Sequence, residues 1–116
     1  MVKESRVPAI GSKLGENSLS ASASADLALA PVLDMRVARE FKRSLEVLYA
    51  RGSPCVIDAH DVARISTGCI QVFAAFVVAM TGIKKRVTLR RASPAMLGSF
   101  EQLGLSQFIT LCTLES

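Results

Sequence analysis

The clearest pattern in the chain runs from Met35 to Tyr49. Apolar residues recur there at Val37/Ala38, Phe41, Leu45 and Leu48, while Arg36, Arg39, Glu40, Lys42, Arg43 and Glu46 fill the other side. Spacings of three and four place the apolar set on one stripe, so the segment predicts one amphipathic helix. Asp34 stands at its expected N-cap, and Gly52 just beyond it supplies a left-handed stop. Ahead of the helix, Leu27 to Leu33 is apolar but holds Pro31, which cannot donate a ladder hydrogen bond and so belongs at a strand end, bulge or edge. Ser53-Pro54 then turns the chain into Cys55-Val56-Ile57, a short buried strand ending at Asp58.

After a loop from Ala59 to Ile65, Ser66-Thr67-Gly68 leads into the run from Cys69 to Met80, in which Gln71 is the one strongly polar residue. Its length and alanine content predict a helix in spite of the β-branched residues. Gly82 and the trio Lys84-Lys85-Arg86 close it, cations near a helix C-terminus being favoured by the dipole. Val87 to Leu89 predicts a strand. Ser93-Pro94 is an N-cap followed by proline at the first helical position, opening a helix through Met96, Leu97, Phe100 and Leu103 that Gly104 ends. Phe108 to Leu111 reads as a final short strand or packed tail. Strands alternating with helices imply an α/β domain, a mixed sheet of four to five strands with at least partly parallel pairing and helices mainly on one face.

Residues 1–18 carry no period and read as a flexible N-terminal tail, leaving 19–116 as the domain. From Leu19 to Ala25 side-chain size alternates with period two, which suits a strand or a linker equally. At 116 residues and 50% hydrophobic content the chain has the size of one small domain, which excludes a two-domain reading. A net charge of +4 carried on scattered residues, with one Tyr and no Trp, argues against nucleic acid as a partner. The three cysteines, Cys55, Cys69 and Cys112, show no C-x-x-C spacing and predict a reduced, cytoplasmic protein. The apolar run of helix two falls well short of the ~20 residues of a membrane span. Polar interruptions up to residue 18 argue against a secretory leader.

Little in the chain suggests catalysis. His60 and Asp61 precede Ser66, but there is no G-x-S-x-G turn, and His60 is the only histidine. Asp58 and Asp61 lack further ligands at metal spacing, and no glycine-rich phosphate loop is present, so no catalytic residue, metal or cofactor is expected. Lys84, Lys85, Arg86, Arg90 and Arg91 read as a solvated rim rather than an anion site. Ser66 and Thr67 stand where a loop feeds a helix N-terminus. A hydroxyl there caps the helix, or forms a regulatory surface on which an added phosphate would meet free N–H groups.

In order and spacing, three blocks of the chain resemble the STAS domain, the fold of the anti-sigma factor antagonists. LALAPVLDMRVAREFKRSL is similar to the family's strand, Leu-Asp turn and first helix. CVIDAHDVARISTGCIQVF is similar to its central strand, regulatory loop and second helix, and RVTLRRASPAMLGSFEQLGLSQFI to its last strand, Ser-Pro turn and last helix. The resemblance covers about residues 19 to 111. The family's switch motif is Asp-Ser-Ser-Gly-Leu, whose second serine is phosphorylated by a partner kinase. Laid without gaps, Ser66 takes the Asp position, Thr67 the first serine and Gly68 the phosphoacceptor. Because Gly68 has no hydroxyl, the resemblance implies a variant that is not phosphorylated at the usual place. Thr67 could stand in only if the helix shifted out of register.

The Ser-Thr-Gly-Cys-Ile-Gln-Val stretch is similar to small bacterial STAS proteins that accompany chemotaxis or other signalling kinases. It is also similar to the STAS subunit of phospholipid-transport ABC complexes, where a threonine at the position of Thr67 contacts the ATPase. Both relatives use this loop and helix for docking. Hydropathy points to the same face: some of Val72, Ala75, Val78 and Ala79 must turn outward unless the N-terminal segment or a homodimer partner covers them. The candidate partner-binding residues are therefore Asp34, Ser66, Thr67, Gly68, Gln71, Val72 and Ala75. The expected function is a non-catalytic module binding a histidine-kinase-type or anti-sigma protein, with an ABC transporter ATPase as the alternative and a homodimer left open.

Overall fold

The computed structural model describes residues 25–116. Its strands are β1 (Leu27–Ala28), β2 (Val32–Leu33), β3 (Cys55–Asp58), β4 (Arg64–Ile65), β5 (Val87–Arg90) and β6 (Thr113–Glu115). Its helices are α1 (Ala38–Arg51), α2 (Thr67–Gly82), α3 (Pro94–Gln102) and α4 (Ser106–Thr110). The main sheet has the order β1-β3-β5-β6, and every pair in it is parallel, with Leu27 opposite Ile57, Cys55 opposite Val87 and Thr88 opposite Thr113. A second, two-stranded parallel pair joins β2 to β4. Among the described residues, the pairing expected to be mixed is thus parallel throughout. The alternation from Leu19 lies outside them, apart from Ala25.

One face of the sheet carries the core. Along β3 and β5, Cys55, Ile57, Val87 and Leu89 are buried, whereas Val56, Thr88 and Arg90 on the opposite face stay partly exposed. That is the period of two that a strand imposes. The buried residues of α1 (Phe41, Leu45, Leu48) and α2 (Phe73, Val77, Met80 among them) join those strand residues in one cluster with Met96 and Phe100 of α3. Phe73 meets Phe100 edge-on at 5.9 Å between ring centroids, fixing α2 to α3.

The terminators act as the local chemistry dictates. Gly52 sits at φ 65° and donates to the Tyr49 carbonyl, closing α1. Ser93 accepts from Met96 N–H at 3.1 Å and donates to the Val62 carbonyl at 2.6 Å, so one buried hydroxyl both caps α3 and holds the loop after β3.

Two expectations are corrected. Asp34 is not the cap of α1, which begins at Ala38 behind Val37 with no side-chain cap. The Asp34 carboxylate instead accepts from the backbone N–H of Arg36 at 3.0 Å and from its guanidinium at 3.0 and 3.2 Å. With Val37 N–H also bonded to the Asp34 carbonyl, Asp34 closes a turn that precedes the helix. Phe108 to Leu111 is not a strand, because Ser106–Thr110 forms α4. The chain must cross back over the sheet end after Gly104 to lie parallel to β5. A single helical turn makes that crossing while burying Ile109, and the strand itself is displaced to Thr113–Glu115.

Candidate functional site

The loop after β3 reaches α2 through Ser66, whose backbone is extended and whose side-chain oxygen accepts the Cys69 N–H at 3.2 Å. Thr67 is the first helical residue and is exposed. Its hydroxyl makes no side-chain hydrogen bond among the described residues. Gly68 follows, half-buried beneath the turn that Asp34 closes: a Cβ at Gly68 would lie 3.4 Å from Met35 Sδ. Cys69 Sγ donates to the Asp34 carbonyl at 3.6 Å. The entry to α1 and the start of α2 therefore pack side by side, and the two helices run in the same direction from there.

Between them lies a groove of about 390 Å³. Gly68, Gln71, Val72, Ala75 and Ala79 form its wall on α2, and Lys42, Glu46 and Tyr49 form the rim on α1. Leu45 and Phe76 make the floor. All sixteen residues of α2 are uncharged, seven of them buried, and an outward remainder of Ala75 and Val78 is exposed. A sixteen-residue helix on one side of a sheet cannot bury its whole circumference, and here the surplus apolar surface faces the groove and its margin.

Of the sequence candidates, Gly68, Gln71, Val72 and Ala75 line one wall, and Thr67 stands at its end. Ser66 faces inward as the cap, and Asp34 contributes its carbonyl and its turn rather than a free carboxylate, since Arg36 holds that group below its ordinary pKa. Sequence reasoning missed the α1 rim. Its signal was available in the outward spacing of Lys42, Glu46 and Tyr49, which alternates four and three.

A second polar cluster lies at the C-terminal ends of the parallel strands. Asp58, 3% exposed, accepts from the Arg91 guanidinium, from His60 N–H at 3.0 Å and faces His60 Nδ1 at 3.1 Å. His60 Nε2 lies 3.0 Å from Asp61. Neighbouring Arg90 pairs with Glu115 of β6 at 2.6 Å. These pairs tie the loop after β3 to the ends of β5 and β6, and every charge in them is engaged. The two arginines of the basic rim are thus structural partners rather than free cations.

No helix among the described residues is long and apolar enough to cross a membrane. A family model described as "Mlab, STAS domain" matches residues 19–113 of the chain. No curated protein matches it.

Proposed function

This chain belongs to the STAS domain family, and we propose that it is a non-catalytic regulatory module that docks a signalling protein through the start of α2 and the groove between α1 and α2. Members of the family are generally regulatory, protein-binding and without catalysis. The observation that carries the reading is the groove itself, an apolar channel along an uncharged helix, opening beside the exposed Thr67. Apolar grooves of this kind take the apolar face of a partner helix. The partner we favour carries a histidine-kinase-type ATP-binding domain or is an anti-sigma protein, in a cytoplasmic setting.

Gly68 occupies the position that the family resemblance gives to the phosphoacceptor and offers no oxygen. The module therefore works unphosphorylated at that point, and Thr67 acts as a contact rather than as a switch. A second reading, an accessory subunit docking an ABC-type ATPase on the same face, is favoured by the threonine at this place in the loop. Neither reading calls for a cofactor.

The test is affinity capture from native lysate with the wild-type chain and with Thr67→Glu, followed by titration of whatever the substitution releases. An acidic residue in the first turn of α2 suits the helix dipole, so the variant keeps its fold. At an interface the same carboxylate is buried without a partner, and binding is expected to weaken by about 2 kcal/mol or more. Loss of a kinase supports the first reading, and loss of an ABC ATPase replaces it with the second. Unchanged affinity removes Thr67 from the contact.

A further inference from the structure

The two walls of the groove differ in character. The α2 wall is uncharged, whereas on α1 the exposed residues Arg39, Lys42, Glu46 and Tyr49 follow one another at steps of three, four and three, which puts them on one stripe. Lys42 and Glu46 make no ion pair with each other or with another described residue. Lysine preceding glutamate is also the less favourable order for a pair within one helix. The rim thus presents the cation of Lys42 and the anion of Glu46 a helical turn apart, beside the apolar channel.

The order of that stripe is self-complementary. When α1 is laid antiparallel on a copy of itself, about a two-fold axis crossing the stripe midway between Lys42 and Glu46, each Lys42 faces the other copy's Glu46. In the same register each Arg39 faces the other copy's Tyr49, a cation over an aromatic ring. We propose that the groove is a self-association surface whose occupant is a second copy of this chain. Two Lys42–Glu46 pairs and two Arg39–Tyr49 contacts set the register, and burial of Val72, Ala75 and Ala79 supplies the apolar contact. The isologous geometry is the common one for homodimers. With two helices of about 21 and 24 Å as the whole contact, the dimer is a weak, dissociable one of the small-interface class. Because it covers the wall assigned above to the signalling partner, dimer and partner complex exclude each other. That exclusivity, unlike the dimer, rests on the docking reading.

Sedimentation equilibrium of the full chain from about 1 to about 500 μM tests the proposal. The wild type is expected to shift from monomer to dimer within that range. Lys42→Glu and Glu46→Lys each place like charges opposite one another and are expected to weaken association about tenfold. An equimolar mixture of the two variants pairs every charge again and restores it, as does the double variant K42E/E46K. Circular dichroism confirms that these exposed substitutions leave the fold intact.

A wild type that stays monomeric, an association that the single variants leave unchanged, or a mixture that fails to re-form dimers overturns the proposal. None of these results touches the docking reading, whose readout is the Thr67→Glu loss of partner. A ternary complex of two copies bound face to face with partner still attached would overturn the exclusivity alone.

Discussion

Asp58 is a buried carboxylate tied to the Arg91 guanidinium and to His60, two partners of very different reach. Burial by itself pushes its pKa up, but the hydrogen bonds from Arg91 and from His60 hold it below the ordinary value. A folded value below the unfolded one means that its stabilising contribution is complete above the unfolded pKa, near ~4, and is lost as pH falls through the folded value. Asp58→Asn keeps the shape and removes the charge, leaving the half-exposed Arg91 without its counter-ion. A loss of about 2 kcal/mol at pH 7 is expected, shrinking below about pH 4 as the wild-type carboxylate itself protonates. Urea titrations at pH 7 and pH 3 measure both values, and an equal loss at the two would show that charge is not what Asp58 supplies. The position of Asp58 at a strand end was legible in the sequence. Its pairing with Arg91, thirty-three residues further on, was not, because no local periodicity links two residues that only the sheet brings together.

Elements were legible where a period or a terminator defined them. The stripe of α1, the Gly52 stop and the Ser93-Pro94 start of α3 all act through neighbours within a few residues, and each appears where expected. The end of the chain was not legible, because Ile109 and Thr110 favour strand by propensity while the crossover after Gly104 requires a helical turn. The three exposed residues of β6 carry no alternation to read. In α2, the apolar excess announced an outward apolar face, but the opposite rim of the groove depends on how α1 packs beside it. Gly68 tests that packing. Its backbone is helical, so Gly68→Ala should gain helix propensity of up to about 1 kcal/mol, and the added methyl meets the sulfur of the exposed Met35 side chain at 3.4 Å and Ser66 Oγ at 4.0 Å, both ordinary contacts. A raised thermal midpoint together with weaker partner binding is expected, the methyl filling the end of the groove. A lowered midpoint would mean that the Met35 contact is rigid.

At the scale of the whole molecule, all three cysteines lie inside the folded body: Cys55 at 2%, Cys69 at 0% and Cys112 at 8% exposure. Burial pushes the Cys55 thiol up to about 11 and Cys112 up to about 12, and the thiolate is the reactive form. At pH 8 a disulfide reagent should therefore modify the native chain only as fast as it opens, and all three thiols at once in urea. Cys69 lies in the first turn of α2, Cys55 opens β3, and Cys112 directly precedes β6, with β5 between those two strands. A thiol that reacts alone would locate a region that opens before the rest.

The parallel sheet has one more consequence, for the order of events as the chain folds. Leu27 pairs with Ile57, Cys55 with Val87 and Thr88 with Thr113, so each described pair in the main sheet must close a loop of some 25 to 32 residues before its first ladder bond forms. No hairpin among these strands offers a local start. The helices can form early, but they are held only when distant strands have met, which places the rate-limiting step in long-range closure. Stopped-flow refolding is accordingly expected on the millisecond-to-second scale, well behind an all-helical domain of equal length. A microsecond phase carrying the full amplitude would mean that the helices assemble without the sheet.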